Sequence, residues 1–459
     1  MGKIFKVSNI RKTIHYLKKN GVKRAYFAAK ERVEAEREDK YVFRVVSEET
    51  LCKQRKAGER FSCRFSILVP AFETKEEYLR AMIESVLGQS YGNFELIIAD
   101  ASKSKKVEEV IGSYEDKRIS YRRLKQNAGI SANTNQALMY ATGDYAALLD
   151  HDDVLTPDAL FEMAASIEKA EENGIELQML YSDEDKCNGD ESAYYEVNRK
   201  PEFNLDLILS NNYICHFLVM KRQLMQELGF RSVCDGAQDF DLVLRAVNQM
   251  LGKDKKRNTK KEIPVAHVPK VLYHWRCHEG STAENPESKR YAYDAGKRAV
   301  EDFLRAREWK GGVSHIRHLG FYRVDYHPDL LSNRPDTAIV GGRLLDKKNK
   351  IAGGIYTQKG EALYLGLHKE YSGYMHRAVL QQEAEMVDIR CMKASKEAEE
   401  ILEEIMGLPY LKNPKNNRFD WKDCLRDDVD YKEISRKLCE RVRAVGMRIV
   451  WDPDMSERI

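Results

Sequence analysis

The sequence has little of what would place it in several specialised classes of protein. Its nine cysteines include no Cys-x-x-Cys pair, which argues against a disulfide framework or a zinc site and for a reducing cytosol. No apolar run approaches the roughly 18 residues that a membrane-spanning helix needs. The net charge of +3 is too small to indicate a nucleic-acid partner. We therefore expect a cytoplasmic protein that does not bind nucleic acid.

Acidic residues are absent from the first 30 positions. Apolar side chains recur there at helical spacing from Ile4 to Leu17, and Gly21 is placed to end the helix. A basic amphipathic helix lies on an anionic membrane surface, or it packs on its own protein with a solvated basic face. Both interpretations stay open. Residues 1–60 are predicted to be this basic helical segment followed by a linker.

Beyond residue 60 the chain is long and apolar enough to fold into more than one domain. Short apolar strands alternate with helical segments, which predicts a mainly parallel sheet with helices on both faces. Ligands bind outside the carboxyl ends of strands in such sheets. Pro70, Asp100 and Asp150 follow three of these strands, so we expect their side chains to meet at one crevice.

The strand that begins at Tyr145 stops abruptly on Asp150, Asp152 and Asp153. Carboxylates at the end of a buried strand are costly unless a cation meets them. Oxygen ligands suit Mg²⁺ or Mn²⁺, and such ions commonly hold phosphate groups. The pattern predicts a metal–diphosphate site with Asp150 and Asp152 as ligands. The alternative is a polar loop whose solvated acids cap the helix that starts at Thr156.

Together these segments resemble the family 2 glycosyltransferases, which have the GT-A fold. The resemblance runs from about Phe65 to Tyr326, and the order and spacing of its motifs make it specific. The motifs are Ser66-Ile-Leu-Val-Pro70, Ile97-Ile-Ala-Asp100, Asn127-Ala-Gly129, Thr142-Gly-Asp-Tyr145, Leu148-Leu-Asp-His-Asp-Asp153, Tyr181-Ser-Asp-Glu-Asp185, Gln238-Asp-Phe-Asp241 and Leu272-Tyr-His-Trp-Arg276. Within the family, the chain looks most like bacterial enzymes that build rhamnose-containing or similar surface polysaccharides.

The resemblance implies a site for a nucleotide-diphosphate sugar, with a UDP- or dTDP-linked donor expected. The residues implied for this donor site are Pro70, Ala71, Glu73, Asp100, Asn127, Gly129, Asp150 and Asp183. Carboxylates accept hydrogen bonds from base N–H groups and ribose hydroxyls. A cap role for Asp100 and a plain turn role for Gly129 are the alternatives.

The resemblance also implies a metal ion and a general base. Asp152 would hold Mn²⁺ or Mg²⁺, with Asp150 and His274 as further ligands, and the ion would neutralise the departing diphosphate. Asp239 would remove the proton of the acceptor hydroxyl in an inverting transfer. Packing and an N-cap are the structural alternatives for His274 and Asp239.

Two positions depart from the family pattern. Thr134 stands where many members have an Arg, which puts one diphosphate contact in doubt, and Gln238 replaces a common Glu beside the base. Three further residues have open roles. Asp241 would orient the acceptor or face solvent, Trp275 would form an acceptor platform or a core contact, and Arg276 would contact a phosphate.

The predicted architecture is a GT-A domain at 61–330, flanked by the N-terminal segment and a smaller C-terminal α/β segment at 336–459. The C-terminal segment resembles the acceptor-side half of a second family 2 domain, at 340–345 and 428–453, without a donor half. Packing on the first domain, an acceptor surface and a homodimer contact are its open roles.

The predicted function is a metal-dependent, inverting glycosyltransferase. It would move sugar to a saccharide or lipid-linked acceptor in bacterial surface polysaccharide synthesis, with peripheral membrane contact through residues 1–30. The alternative is a catalytically silent GT-A scaffold, although the intact Asp152 and Asp239 favour an enzyme. A nucleotidyltransferase would need a Gly-rich, Arg-containing loop after the first strand, where this chain has Pro70-Ala-Phe-Glu73.

Overall fold

The computed structural model describes residues 21–33, 41–252, 263–278, 290–424 and 429–459. The predicted helix from Ile4 to Leu17 and most of the basic run at 252–261 lie outside these ranges. Residues 21–33 are helical and form α1, so Gly21 is the first residue of a described helix. Within the described ranges, no helix combines the length and the apolar character that crossing a bilayer requires.

The strands of the first part of the chain build one large sheet and a short hairpin. They are β1 (Phe65–Ala71), β2 (Phe94–Asp100), β3 (Ile119–Arg123), β4 (Tyr145–Leu148), β5 (Val154–Leu155), β6 (Met179–Asn188), β7 (Tyr194–Asn198), β8 (Leu218–Lys221), β9 (Val265–Cys277), β10 (Gly311–His315) and β11 (Tyr322–Tyr326).

Helices connect these strands and cover both faces of the sheet. They are α2 (Glu48–Gly58), α3 (Glu76–Leu87), α4 (Lys106–Ile111), α5 (Ile130–Leu138), α6 (Ala159–Glu172), α7 (Leu205–Ser210), α8 (Arg222–Leu228), α9 (Gln238–Met250) and α10 (Arg290–Arg307).

The large sheet has the strand order β3-β2-β1-β4-β8-β6-β9-β5, with β7 paired to β6. Strands β3, β2, β1 and β4 are parallel, as predicted, whereas β8 runs antiparallel to both β4 and β6. Ala71 at the end of β1 lies in register with Asp100 at the end of β2. The ends of β1, β2 and β4 therefore form one edge, which places the predicted donor residues and the Asp150 loop together.

Side chains alternate between the two faces along the central strands, so each face of the sheet has its own hydrophobic core. In β1, Ile67 and Val69 pack into one core and Leu68 into the other, and all three are fully buried. A strand buried on both faces has a continuous apolar run, which is what the sequence shows there.

Strand β6 corrects the sequence prediction. The apolar run at 177–181 predicts a strand that ends on Asp183, Glu184 and Asp185. Instead β6 continues to Asn188 and pairs with β9 along its length, with register shifts on either side of Asp183. The acids are therefore inside a strand, and successive side chains point to different faces of the sheet.

The C-terminal part of the chain has its own five-stranded sheet, in the order β13-β12-β18-β15 with β17 paired to β12. The strands of this part are β12 (Thr337–Leu345), β13 (Ile351–Gly353), β14 (Ile355–Tyr356), β15 (Gln382–Glu383), β16 (Met386–Val387), β17 (Met392–Ala394) and β18 (Arg448–Arg458). Strands β14 and β16 form a separate two-stranded sheet. The helices of this part, with the linking α11, are α11 (Leu330–Asn333), α12 (Lys396–Met406), α13 (Trp421–Cys424) and α14 (Tyr431–Ala444).

This C-terminal segment packs on the first part of the chain. Val340, Leu380 and Val450 belong to the same hydrophobic core as α9 and α10.

The helix α1 also packs on the C-terminal segment. Phe27 stacks on His368 at 4.5 Å between ring centroids, and the Glu31 carboxylate accepts hydrogen bonds from the backbone N–H groups of 372 and 373.

Arg334 joins the two parts of the chain at a fully buried position. Its guanidinium lies 2.8 Å from Asp206 in α7 and 2.8 Å from Asp336, and it stacks over Trp309. Removing one partner of a buried ion pair leaves an uncompensated charge. Arg334 should therefore contribute more to stability than a surface arginine with the same number of partners.

We expect Arg334→Met to lower the free energy of unfolding by about 3–5 kcal/mol, because Asp206 and Asp336 would remain buried without their cation. Urea unfolding of the full chain measures this loss. Arg436→Met is the matched control, since Arg436 also pairs with two acids, Glu433 and Glu440, but on the surface of α14. Equal stability of the two variants would contradict the prediction.

Candidate functional site

Asp153 fixes the acidic loop that follows β4. Its carboxylate accepts a hydrogen bond from the Tyr273 hydroxyl at 2.5 Å and another from the Arg276 backbone N–H at 2.7 Å. The Arg276 side chain donates to the Asp152 carbonyl oxygen at 2.6 Å. Strand β9 therefore holds the loop by its third acid and its backbone, which leaves the side chains of Asp150 and Asp152 for other partners.

Arg276 has a structural role that the sequence did not predict. Its side chain is 2% exposed, and it also donates to the Gly189 carbonyl oxygen and to the Glu191 carboxylate, each at 2.6 Å. A guanidinium presents several donors in a fixed plane, which suits a bridge between chain segments. Arg276 is committed to these contacts and does not face a phosphate site.

Asp150 and Asp152 carry the uncompensated charge of the loop. The Asp150 side chain stays 47% exposed, at 4.0 Å from the His216 ring, and Asp152 lies 2.9 Å from His278. Desolvation by the surrounding protein raises the pKa of Asp150. The charges of Asp152 and Asp239 raise it further, whereas His216 and His151 lower it. Burial, and then the charges of Asp152 and Asp150, hold the pKa of Asp153 well above its usual value. The crowded carboxylates thus favour a cation.

The donor set fits a hard divalent cation. Asp150 and Asp152 offer carboxylate oxygens, which Mg²⁺ and Mn²⁺ prefer. No group of three or more His, Cys, Asp or Glu side chains arranged to hold a metal is present among the described residues. The protein would therefore supply only part of a coordination shell, and a bound ligand would have to supply the rest.

His274 lies apart from these acids. Its ring is 2.5 Å from Asp185, which also accepts a hydrogen bond from Tyr41, and it packs between Phe43 and Tyr194. Neighbouring strand residues point to opposite faces, so His274 faces away from the side that Tyr273 faces. The structure does not bring His274 together with Asp152, and His278 contacts Asp152 instead.

His216, which the sequence did not single out, stands beside Asp150. Its backbone N–H donates to Glu184 at 2.6 Å and its ring lies 3.1 Å from the same carboxylate. Burial lowers the pKa of His216, but Glu184, Asp150 and Asp153 outweigh it and raise the pKa to about 9. His216 therefore brings a positive charge to the acidic loop at neutral pH.

Glu184 rather than Asp183 lies beside His216, which is next to the acidic loop. Burial raises the pKa of Glu184, but the buried ammonium of Lys200, at 3.8 Å, and His216 outweigh it and lower the pKa to about 2. Asp183 instead accepts hydrogen bonds from the His267 ring and the Lys200 backbone N–H, each at 2.8 Å. The predicted donor role of Asp183 gains no support from this placement.

Asp239 lies in the first turn of α9 and is partly buried. Its carboxylate accepts a hydrogen bond from the Asn212 amide at 3.0 Å. Burial, and then the Asp239 carboxylate, hold the pKa of the neighbouring Cys215 thiol well above its usual value. The charge of Asp239 also acts on Asp150. The structure thus brings the predicted base and the acidic loop into one region.

Asp241, two residues later, is buried rather than solvent-facing. It is 1% exposed and forms ion pairs with Arg231 and Arg245. These contacts fix α9 against α8 and α10 and leave Asp241 no part in binding an acceptor.

The predicted base and ribose residues lie at the ends of β1 and β2. Asp100 is fully buried and accepts hydrogen bonds from the Tyr121 hydroxyl at 2.8 Å and from Arg123 at 2.9 Å. Pro70 and Ala71 end β1 beside it. The Glu73 carboxylate accepts hydrogen bonds from the backbone N–H groups of 103 and 104, and these bonds, after the Ser104 hydroxyl, lower the pKa of Glu73. All of these acids have internal partners.

Asn127 and Gly129 shape the turn into α5. The Asn127 side chain accepts a hydrogen bond from the Gly129 N–H at 3.1 Å. Gly129 has a φ of +94°, and a Cβ there would lie 2.4 Å from the Asp235 carboxylate, so only glycine fits. Asp235 in turn accepts a hydrogen bond from the Ser131 N–H. The start of α5 is thereby tied to the loop that leads to Asp239.

Known proteins are similar to part of this chain. Residues 66–229 match the family model "Glycosyl transferase family 2". Residues 66–229 are a family 2 glycosyltransferase domain. The matched range includes the ends of β1, β2 and β4 and the whole of β6, so it holds the acidic loop and the predicted donor residues. It ends before Asp239, which is therefore outside the family match.

Curated relatives match a similar part of the chain. An uncharacterized protein, y4gI of Sinorhizobium fredii, is 37% identical over 52% of this chain and 25% of its own length. The O-antigen biosynthesis protein RfbC of Myxococcus xanthus is 29% identical over 52% of this chain and 18% of its own length. The minor teichoic acid biosynthesis protein GgaB of Bacillus subtilis is 27% identical over 49% and 24%. The chain thus spans a quarter or less of these relatives.

Among solved structures, residues 1–349 of TarS from S. aureus, in complex with UDP-GlcNAc, are similar to this chain. The sequences are 16% identical, the TM-score is 0.39, and the match covers 52% of this chain and 66% of the TarS chain. A likeness of this strength says nothing about the ligand of the family 2 domain described here.

Glu184 makes the stability of this region depend on pH. Its pKa of about 2 lies below the value of 4.5 for an unperturbed side chain. Its contribution is therefore fully present above pH 4.5 and is lost as the pH falls towards 2. We expect Glu184→Gln to lose about 3 kcal/mol at pH 7 and to converge on the wild type near pH 2, as measured by urea unfolding across this range.

Glu196→Gln is the control for this change, because Glu196 is an exposed acid on β7 with a single lysine partner. Its unfolding curve should follow the wild type at every pH. A difference between Glu184→Gln and the wild type that stayed constant down to pH 2 would contradict the assigned pKa.

Proposed function

We propose that the chain is a metal-dependent, inverting glycosyltransferase that takes its sugar from a nucleotide-diphosphate donor. The observation that carries this proposal is that one short segment contacts both acids: Asn212 donates to Asp239 at 3.0 Å, and the His216 ring lies 4.0 Å from Asp150. A diphosphate site beside a potential base is the arrangement that sugar transfer to a hydroxyl requires.

The donor proposal uses the ends of β1, β2 and β4. Base and ribose would bind against Pro70, Ala71 and Asp100, and the diphosphate would lie towards Asp150 and Asp152. Those two carboxylates would hold Mn²⁺ or Mg²⁺, which would supply charge neutralisation for the leaving diphosphate. UDP- and dTDP-linked sugars are the proposed donors.

Asp239 carries the acceptor chemistry in this proposal. The acceptor oxygen forms a bond to the anomeric carbon while the bond from that carbon to the diphosphate oxygen breaks. The bonding electrons leave with the diphosphate, and the acceptor proton passes to the Asp239 carboxylate. Attack from the side opposite the leaving group inverts the anomeric centre. A carboxylate held by the Asn212 amide is oriented for this step.

The polymer class is proposed from the relatives. RfbC and GgaB are named for O-antigen and minor teichoic acid biosynthesis. We therefore propose a saccharide or lipid-linked acceptor in surface polysaccharide assembly. Peripheral membrane contact through residues 1–30 belongs to the same proposal.

One observation favours the alternative of a silent scaffold. Asp100 is fully buried and already paired with Tyr121 and Arg123, so a nucleotide would have to compete for it. A thermal-shift screen of UDP, dTDP and their sugars, with and without Mn²⁺, separates the two functions. Saturating donor should stabilise the enzyme by about 2–3 kcal/mol at 100 times Kd, and a scaffold should not respond.

Asp152→Asn should abolish turnover and remove the Mn²⁺-dependent part of the nucleotide thermal shift, because the amide has one weaker oxygen ligand in place of a carboxylate. Asp116→Asn, at an exposed loop near β3, is the control and should behave as the wild type. Full turnover by Asp152→Asn would exclude Asp152 as a ligand.

Asp239→Asn should lower kcat by roughly 10²–10⁴-fold, because the amide cannot take up the acceptor proton. The thermal shift with UDP and Mn²⁺ should stay close to that of the wild type. Asp294→Asn, an exposed acid on α10, serves as the control. Loss of nucleotide affinity in Asp239→Asn would assign this residue to the donor site instead.

A further inference from the structure

The amide of Asn212 is placed to fix the orientation of Asp239. Its nitrogen lies 3.0 Å from one Asp239 carboxylate oxygen. A carboxylate accepts hydrogen bonds and does not donate them, so the amide must present its nitrogen. The Asn212 side-chain oxygen is then left buried without a hydrogen-bond partner among the described residues. Buried polar atoms are seldom left in this state without a functional reason.

Asn212 owes its position to α7, which ends two residues before it. This helix has six residues, all of them buried. A helix this short does not form by itself, because the cost of its first turn exceeds what its few hydrogen bonds return. The contacts around α7 therefore decide where Asn212 stands.

The C-terminal segment supplies contacts at both ends of α7. At its start, the Asn204 side chain donates to the Glu383 carbonyl oxygen at 3.0 Å and accepts from the Glu383 N–H at 2.9 Å. The Glu383 carboxylate accepts a hydrogen bond from the Leu205 N–H at 3.1 Å. At its end, the Ser210 hydroxyl donates to the Gln381 carbonyl oxygen. Strand β15 thus pairs with the helix along its side.

A chain of five charged side chains reinforces this contact, and we call it the ion chain. Its members, in order of contact, are Asp206, Arg334, Asp336, Arg448 and Glu383, at 2.8, 2.8, 3.1 and 2.5 Å between successive partners. The first and last members both contact α7. Four of the five are buried, and a buried charge is tolerated only where its partners stay in place.

We infer that Asn212 is a positioning residue for Asp239, and that residues 336–459 hold it in place through α7 and the ion chain. This inference rests on the proposed function of Asp239 as the base. It gives the C-terminal segment a role in the first active site without any chemistry of its own.

Four variants of the full chain test the inference. Asn212→Ala removes the contact with Asp239, and Glu383→Ala removes the acceptor for Leu205 and the last member of the ion chain. Glu383→Gln is the conservative variant, since it keeps an oxygen for the Leu205 N–H. Glu385→Ala is the matched control, because Glu385 lies two residues away and pairs with the surface residue Arg443.

The first readout needs no donor or acceptor. The Cys215 thiol lies against both Asp239 and Asn212, so its rate of alkylation by iodoacetamide reports on this contact. Peptide mass spectrometry follows Cys215, with the exposed Cys52 as internal reference. The Asn212 side chain lowers the pKa of the Cys215 thiol, so losing this contact leaves less of the reactive thiolate. We expect several-fold slower alkylation in Asn212→Ala and Glu383→Ala, an intermediate rate in Glu383→Gln, and the wild-type rate in Glu385→Ala.

The second readout is turnover, measured with UDP-GlcNAc or dTDP-rhamnose, whichever raises the Tm of the wild type. Asn212→Ala and Glu383→Ala should each lower kcat by roughly 10- to 100-fold, as expected of a misplaced catalytic group, with the UDP–Mn²⁺ thermal shift unchanged. Because both act through one contact, the double variant should lose no more than Asn212→Ala alone.

Unchanged Cys215 alkylation and unchanged kcat in Glu383→Ala would overturn the inference, and so would additive losses in the double variant. If Glu385→Ala had the same effects as Glu383→Ala, the cause would be general destabilisation of the C-terminal segment, and the inference would be overturned as well. If neither nucleotide sugar is turned over, the proposed function fails. The alkylation rates still decide whether the C-terminal segment holds Asn212.

Discussion

The structure depends on pairing the carboxylates that folding buries away from water. Asp153, Asp241 and Asp206 are each almost fully buried, and each pairs with a tyrosine or arginine from another segment of the chain. These pairs fix the acidic loop, α9 and α7 in turn. Asp150 and Asp152 differ, because they are partly exposed and have histidines, His216 and His278, as neighbours. The fold is thus rigid around the place where a cation and a diphosphate are proposed to bind.

The same constraint links the two parts of the chain. The ion chain crosses from α7 into the C-terminal sheet and back, so neither part can move without exposing an unpaired charge to a medium of low dielectric constant. A C-terminal segment that is predicted to lack a donor site can therefore still affect the first part of the chain. Of its three open roles, packing on the first domain is what the contacts display, whereas an acceptor surface and a dimer contact stay predictions.

The donor side was predictable because it depends on local order. Strands β1, β2 and β4 are continuous apolar runs, and in a parallel arrangement their ends must meet at one edge, which places Pro70, Asp100 and Asp150 together. The acids of β6 were less predictable. Register shifts on either side of Asp183 disturb the alternation of side chains, so counting along the sequence could not tell whether Asp183 or Glu184 faces the cleft. The direction of the His274 side chain was unpredictable for a related reason, since the pairing of β9 with β6 decides which face of the sheet it occupies.

The sequence by itself determined the fold class, the order of the elements and the chemical character of the acidic loop, because these follow from short-range hydrophobic patterning and residue type. Tertiary structure alone decided which side chains are withdrawn into structural pairs and which remain for ligands. Arg276 and Arg334 find partners up to 128 residues away in the chain, and Glu184, 32 residues away, raises the pKa of His216. Such partners are set by packing in three dimensions, and electrostatic interactions of this range leave no periodic signal in the sequence.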